Sequence, residues 1–271
     1  MTAARDVQRT PRQSPTPERD TAEIEYTRTG SGPALLLLHP LGADREVWRP
    51  VVDRLCDRRE LIAIDMPGFG ASAPLRNATP TAAALADAIA RLIARLGLEC
   101  PHAAGNSLGG WVALELGLAG AVASTTAIAP AGLWSRPLFP KPSLAHRLAK
   151  SFRPLVGPVA ASTRGRALLL GSAVAYPDRV PPRESVHLVQ AYADAPGFVA
   201  VNRAMRAGTF TDLAAIESPV TLVWPEHDRL VTRPRRLPPN VRSIVLPGAG
   251  HMPFWDAPDA VAEVLLAATG G

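Results

Sequence analysis

Two kinds of apolar pattern alternate along this chain. Short strand-like runs, mostly apolar, lie between turn-forming or charged residues: Leu35-Leu36-Leu37-Leu38, Ala103-Ala104, Ala123 to Ala129, Val220-Thr221-Leu222-Val223-Trp224 and Val241 to Leu246. Longer segments, Val47 to Leu55 and Ala82 to Leu96, carry apolar residues at helical spacing. Runs without a polar alternate suit strands buried on both faces, and their alternation with helices predicts an α/β fold. The architecture expected is a mostly parallel, doubly wound sheet with helices on both sides.

One stretch breaks the alternation. Between the strand at Ala123 to Ala129 and that at Val220 lie ninety residues, far more than the dozen or so that a parallel crossover needs. Helical pieces are expected there at Ser143 to Phe152, Pro158 to Leu170, Arg183 to Ala193 and Phe198 to Ala207, separated by Pro and Gly. The organisation that follows is a polar, Pro-punctuated tail over 1–20, a core from 21–132 and 211–271, and a helical insertion over 133–210.

Candidate chemistry concentrates at the ends of the short runs. Gly105-Asn106-Ser107-Leu108-Gly109 follows the strand ending at Ala104 and precedes the helix-like Gly110 to Leu116. A serine on a sharp strand-to-helix turn projects its hydroxyl beside the first unpaired N–H groups of the helix. Such a serine needs a base, and the base needs a third group to fix its tautomer. Among the six histidines, His251 sits in the Gly-rich loop Pro247-Gly248-Ala249-Gly250 after a strand, where residues that act on substrates collect in parallel sheets. Asp228 follows the strand Val220 to Trp224. His39, His102, His146 and His187 are set aside for want of such a setting, and His227, adjacent to Asp228, is expected to point away.

In these residues the chain resembles the α/β-hydrolase superfamily, from about Ile24 to Leu266, including its order of serine, acid and histidine: Ser107, Asp228, His251. Leu35 to Gly42 is similar to the family's first buried strand and His-Gly loop, with Pro40 where glycine is usual, and Asp65-Met66-Pro67-Gly68-Phe69-Gly70-Ala71-Ser72 resembles its Asp-x-x-Gly-x-Gly-x-Ser loop. The resemblance implies an oxyanion hole from the backbone N–H groups of Leu41 and Leu108. It also implies that the insertion is a cap over the serine. Glu226 is a rival carboxylate; Asp228 is preferred because its spacing from the strand matches the family and Arg229-Leu230-Val231 continues the family's loop. Pro234, Pro238 and Pro239 predict that the helix usual after that loop is shortened or replaced by a turn.

The activity implied is hydrolysis of a carboxylic ester or related carbonyl through an acyl-enzyme. The alternatives are a lactonase, a carbon–carbon bond hydrolase of the meta-cleavage product type, which the Gly-Asn-Ser-x-Gly-Gly form also resembles, and a non-catalytic ligand-binding relative. A serine nucleophile disfavours the Asp-based routes of the family's dehalogenases and epoxide hydrolases.

Composition narrows the partners. The net charge of +5 is carried mostly by scattered Arg, with Lys only at 141 and 150, so no nucleic-acid partner is expected. No apolar run approaches the length of a membrane span, and no membrane partner is expected. Cys56 and Cys100 are expected as buried thiols in a reducing, cytoplasmic setting. No metal-ligand spacing or phosphate-binding glycine loop is present, so neither metal nor cofactor is expected. The expected partner is a small apolar or aromatic molecule. Trp134, Phe139, Phe152, Tyr176, Tyr192 and Phe198 either line its pocket or hold the insertion together.

Overall fold

The computed structural model describes residues 23–139 and 144–270; the expected tail over 1–20 lies outside them. Seven strands form one sheet in the order β1-β3-β2-β4-β5-β6-β7. They are β1 (Tyr26–Thr29), β2 (Ala34–Leu38), β3 (Glu60–Ile64), β4 (His102–Asn106), β5 (Ser124–Ile128), β6 (Val220–Pro225) and β7 (Val241–Leu246). Only β1 pairs antiparallel, against β3; every other pair is parallel.

The run of four leucines in β2 explains the layering. Side chains alternate across a strand, so Leu35 and Leu37 face one side while Leu36 and Leu38 face the other. Leu35 and Leu37 join a core with Val51 and Leu55 of α1 (Arg49–Leu55) and Val261 and Leu265 of α9 (Pro258–Ala268). Leu36 and Leu38 join another with Leu85, Ile89 and Leu92 of α2 (Ala82–Arg95) and Val112 and Leu116 of α3 (Leu108–Leu118). The helices therefore divide between the two faces, which is the doubly wound arrangement. No helix intervenes between β6 and β7, where the three prolines fall.

Between β5 and β6 lie α4 (Leu144–Ser151), α5 (Val156–Ala160), α6 (Thr163–Leu170), α7 (Pro182–Asp194) and α8 (Phe198–Ala207). The single helix expected over Pro158 to Leu170 is divided, because Ser162 adopts extended backbone and its hydroxyl caps α6 by accepting from Gly165 N–H at 3.0 Å. The two ends of this segment are tied together. Phe210 N–H donates to Gly132 C=O at 2.8 Å, and the Trp134 indole donates to Gly208 C=O at 2.8 Å.

The cysteines depart from expectation: Cys56 is half-buried and Cys100 is exposed. No helix among the described residues is long and apolar enough to cross a membrane.

Candidate active site

In the sheet order, β2 is flanked by β3 on one side and β4 on the other, so successive connections leave in opposite directions there. Such a switch point opens a crevice at the carboxyl ends of the strands, the usual ligand position in open α/β sheets. Leu41 follows β2 and Ser107 follows β4, one on each side of that crevice.

Ser107 has φ +55° and ψ −113°, a conformation disfavoured for residues with a side chain. The surroundings enforce it. Ser107 N–H donates to Ile128 C=O at 2.9 Å, and its own C=O accepts from Trp111 and Ala131 N–H, each at 3.0 Å. The glycines of the turn are demanded by close approach: a Cβ at Gly105 would lie 2.0 Å from Gly109 O, and one at Gly109 would lie 2.2 Å from Leu38 O. The first turn of α3 is thus pressed against the exit of β2.

Between β2 and Leu41 stands His39, fully buried, with burial holding its pKa below the usual imidazole value. Its Nε2 accepts from Met66 N–H at 2.9 Å, so the proton sits on Nδ1, which donates to Pro40 C=O at 2.8 Å. In a trans peptide the carbonyl and the following N–H point in opposite directions. Holding Pro40 C=O toward the imidazole therefore turns Leu41 N–H away from it, and among the described residues Leu41 N–H makes no backbone hydrogen bond. Leu108 N–H opens α3 and has no helical acceptor. Both donors named from the sequence are unpaired in this way. His39 was set aside by the sequence reading, although its place directly after a strand was the available signal.

Asp228 and His251 meet at the ends of β6 and β7. Asp228 Oδ2 accepts from His251 Nδ1 at 2.8 Å, with both side chains almost wholly buried, 5% and 6% exposed. The other oxygen, Oδ1, accepts from Leu230 N–H at 2.7 Å and Val231 N–H at 3.1 Å. Glu226, the rival carboxylate, is exposed and accepts instead from Gly248 N–H at 2.8 Å, bracing the loop that carries His251. His227 is exposed.

Asn106 joins the serine turn to the histidine loop. Its Nδ2 donates to Ile128 C=O at 3.1 Å and to His251 C=O at 3.0 Å. Ser107 Oγ is not hydrogen-bonded to the imidazole in this conformation, a looseness common in unliganded sites. Ser107 is almost wholly buried, at 8% exposed.

Asp256, which sequence reading missed, anchors the histidine loop. It is buried and accepts three N–H groups: Gly250 at 2.8 Å, Ala175 at 2.9 Å and Tyr176 at 2.8 Å. Asp65 does similar work in the Asp-x-x-Gly-x-Gly-x-Ser loop, accepting from Arg45 N–H at 2.7 Å and Ala71 N–H at 2.9 Å while pairing with the Arg45 guanidinium. A Cβ at Gly70 would fall 2.2 Å from that carboxylate, which accounts for the glycine.

The aromatic residues of the insertion separate by position. Phe139 and Phe152 are exposed, Trp134 packs edge-on to Trp111, and the Tyr176 ring lies under Arg179. Tyr192 and Phe198 stand against the loop of Leu41: a Cβ at Gly42 would come within 2.6 Å of Tyr192 Cδ2 and 3.3 Å of Phe198 Cδ2.

The same loop is held to the insertion by a charged pair. His187 Nε2, on α7, lies 2.9 Å from Asp44 Oδ2, and Asp44 also caps the turn that follows by accepting from Glu46 N–H at 3.1 Å. The hydrogen bond that His187 donates to Asp44 raises the pKa of His187. Burial pulls Asp44 upward, but the hydrogen bond and charge of His187 outweigh it and leave Asp44 below its usual value. The stabilisation is therefore present between the two titrations. It is lost as pH rises through the raised value of His187, and lost again as pH falls through the depressed value of Asp44. His187→Gln is expected to lower Tm by about 1–2 °C near pH 5.5, the pair being partly solvent-screened, and by less near pH 9. Thermal melts at both pH values check this; an equal deficit at both refutes the charge pair.

Among the described residues no group of three or more His, Cys, Asp or Glu is gathered as metal ligands would be.

Comparison with known proteins agrees with this fold. Residues 35–264 match the model of the alpha/beta hydrolase family. The chain is 34% identical over 206 residues to the epoxide hydrolase EphH of Mycobacterium tuberculosis, an alignment covering 68% of this chain and 93% of that one. It is 28% identical over 260 residues to a pimeloyl-[acyl-carrier protein] methyl ester esterase of Aeromonas hydrophila, covering 89% and 97%. Among solved structures, a thermophilic esterase from Thermogutta terrifontis superposes with a TM-score of 0.70 at 25% identity, covering 91% of this chain and 95% of that one. With its sheet order, its match over most of its length and these relatives, the chain belongs to the alpha/beta hydrolase family and is a hydrolase.

Proposed function

We propose that this hydrolase cleaves a carboxylic ester, or a related activated carbonyl, through an acyl-enzyme formed on Ser107. The observation that carries the reading is the buried Asp228–His251 hydrogen bond at Nδ1, which leaves Nε2 as the basic nitrogen at the end of the sheet that bears Ser107. His251 Nε2 takes the hydroxyl proton as Ser107 Oγ adds to the carbonyl carbon. The carbonyl oxygen becomes an alkoxide, stabilised by Leu41 and Leu108 N–H. The imidazolium, stabilised by Asp228, gives its proton to the departing alcohol as the carbon–oxygen bond breaks. Water then repeats the sequence with His251 as base, releasing the acid and restoring the serine.

Serine chemistry argues for an acyl substrate over an epoxide, despite the name of the mycobacterial relative. Ring opening by Ser107 would leave an alkyl ether on the enzyme, with no carbonyl for water to attack, and turnover would stop. An ester leaves an acyl group that water can remove. The relative named as a methyl ester esterase, aligned over most of both chains, supports the same choice. In this reading α4–α8 form the cap, and Tyr192 and Phe198 wall the pocket beside the oxyanion loop.

The test is a panel of p-nitrophenyl acyl esters, lactones, an epoxide and a vinylogous diketone acid, run beside fluorophosphonate labelling mapped by peptide mass. Ester turnover with the label on Ser107 is expected. Epoxide turnover without acyl turnover, or an unlabelled Ser107 in an active preparation, refutes the proposal.

A further inference from the structure

The insertion leaves an apolar face uncovered. Leu144 (58% exposed), Leu148 (46%), Phe152 (55%) and Leu155 (54%) follow one another at intervals of four, four and three along α4 and the turn after it. Phe152 N–H still donates to Leu148 C=O at 2.8 Å, so the helical path continues through it. At this spacing the first three side chains fall within an arc of about 80°. His146, on the opposite side of α4, is buried and stacks on Phe198 at 4.5 Å, so the helix already uses its other face for the core. Phe139 and Leu168, elsewhere in the insertion, are each 82% exposed. Scattered apolar residues are ordinary on a surface; a helical stripe of large ones is not.

The unpaired charge on the stripe's own helix is of one sign. Arg147 and Lys150 are exposed on its flank, and among the described residues neither lies within ion-pairing distance of a carboxylate. Arg153 pairs with Asp194 at 2.9 Å. Along the sequence no Asp or Glu occurs between Glu115 and Asp178, whereas Arg136, Lys141, Arg147, Lys150, Arg153, Arg164 and Arg166 all do, including the chain's only two lysines.

We propose that this face of α4 docks on an anionic lipid surface, with the leucines and Phe152 entering the boundary between headgroups and acyl chains and Arg147 and Lys150 held by lipid phosphates. An apolar stripe bordered by cations is the pattern of helices that lie in a membrane interface without crossing it. A second copy of the chain fits less well. A two-fold contact sets each patch against itself, bringing Arg147 and Lys150 against their own copies with no carboxylate on α4 to neutralise them. The surface is independent of the chemistry at Ser107, and lying on a membrane needs no spanning helix.

Flotation of the full chain with vesicles tests the proposal. Vesicles of phosphatidylcholine with about 30 mol% phosphatidylglycerol are expected to carry the protein up the gradient at about 0.1 M salt, with much less carried at about 0.5 M salt or by phosphatidylcholine alone. Leu148→Ser with Phe152→Ser is expected to reduce partitioning at least about tenfold. Arg147→Gln with Lys150→Gln is expected to reduce it by about fivefold per charge removed. All four positions are exposed, and unchanged melting curves and short-ester turnover would show that the variants fold. No flotation of the wild-type chain overturns the proposal, as does equal flotation of the apolar double variant. Self-association in sedimentation velocity that the apolar variant abolishes, without flotation, assigns the stripe to a second copy instead.

Discussion

Ser107→Ala is expected to lower kcat/KM for a p-nitrophenyl ester by about 10⁴-fold or more while leaving the fold intact. The size follows from role: without the nucleophile no acyl-enzyme forms, and only the oxyanion donors and binding remain to speed attack by water. Structural tolerance follows from geometry. Alanine keeps the Cβ, so the positive φ at this residue is neither relieved nor worsened, and Ser107 Oγ takes part in no hydrogen bond in this conformation. Tm is expected to stay within about 2 °C, the range of a substitution that removes no buried contact. A matched pair of melting curves and ester progress curves decides the matter. Activity retained within tenfold would remove Ser107 from the mechanism; lost activity with a collapsed melt would say nothing for it and would shift the test to fluorophosphonate labelling.

Asp228→Asn carries the second largest expected effect, about 10³- to 10⁴-fold in kcat. The reason lies in the two N–H groups that Oδ1 accepts, from Leu230 and Val231. An asparagine here must keep its oxygen toward those donors, since turning it round would set an amide NH₂ against two N–H groups. Its nitrogen then faces His251 Nδ1 and donates to it. Nδ1 becomes an acceptor, the ring proton moves to Nε2, and the nitrogen needed as base is already protonated. The deficit should therefore appear in kcat with little change in KM. Glu226→Gln is the control: its carboxylate braces Gly248 in the exposed loop, and kcat is expected to change by less than about threefold. If the glutamate variant lost the activity and the asparagine variant kept it, the acid would have been assigned to the wrong residue.

Much of this was legible in the sequence because it depends on local pattern. The four leucines of β2 could only be a strand buried on both faces, and Gly105 and Gly109 announced a turn that admits no side chain. Ser107, Asp228 and His251 could be singled out because each follows an apolar run. What escaped was set by partners distant in sequence. Asp256 looks like an ordinary residue before a helix until the N–H groups of Gly250, Ala175 and Tyr176 converge on it. Asn106 reads as a turn residue, yet it bonds a carbonyl 145 positions away. Whether Tyr192 or Phe152 faced the core could not be told from aromatic character; packing against Gly42 separates them. Cys100, expected inside because thiols usually are, sits on an exposed turn between α2 and β4.

The three N–H groups on Asp256 have a consequence for how a substrate enters. They bind the histidine loop and the middle of the insertion into one unit, and Gly197 N–H donating to Gly68 C=O at 2.8 Å fastens the joint between α7 and α8 to the core as well. The roots of the insertion are closed by Phe210 and Trp134. With the insertion as the proposed cap, breathing that widens the way to Ser107 is cheapest where none of these fastenings must break, along α4 to α6. The doorway and the machinery are then separate parts. Changes over 144–170 can alter how fast substrates arrive, and from what surface, while the rate of bond cleavage stays as it is.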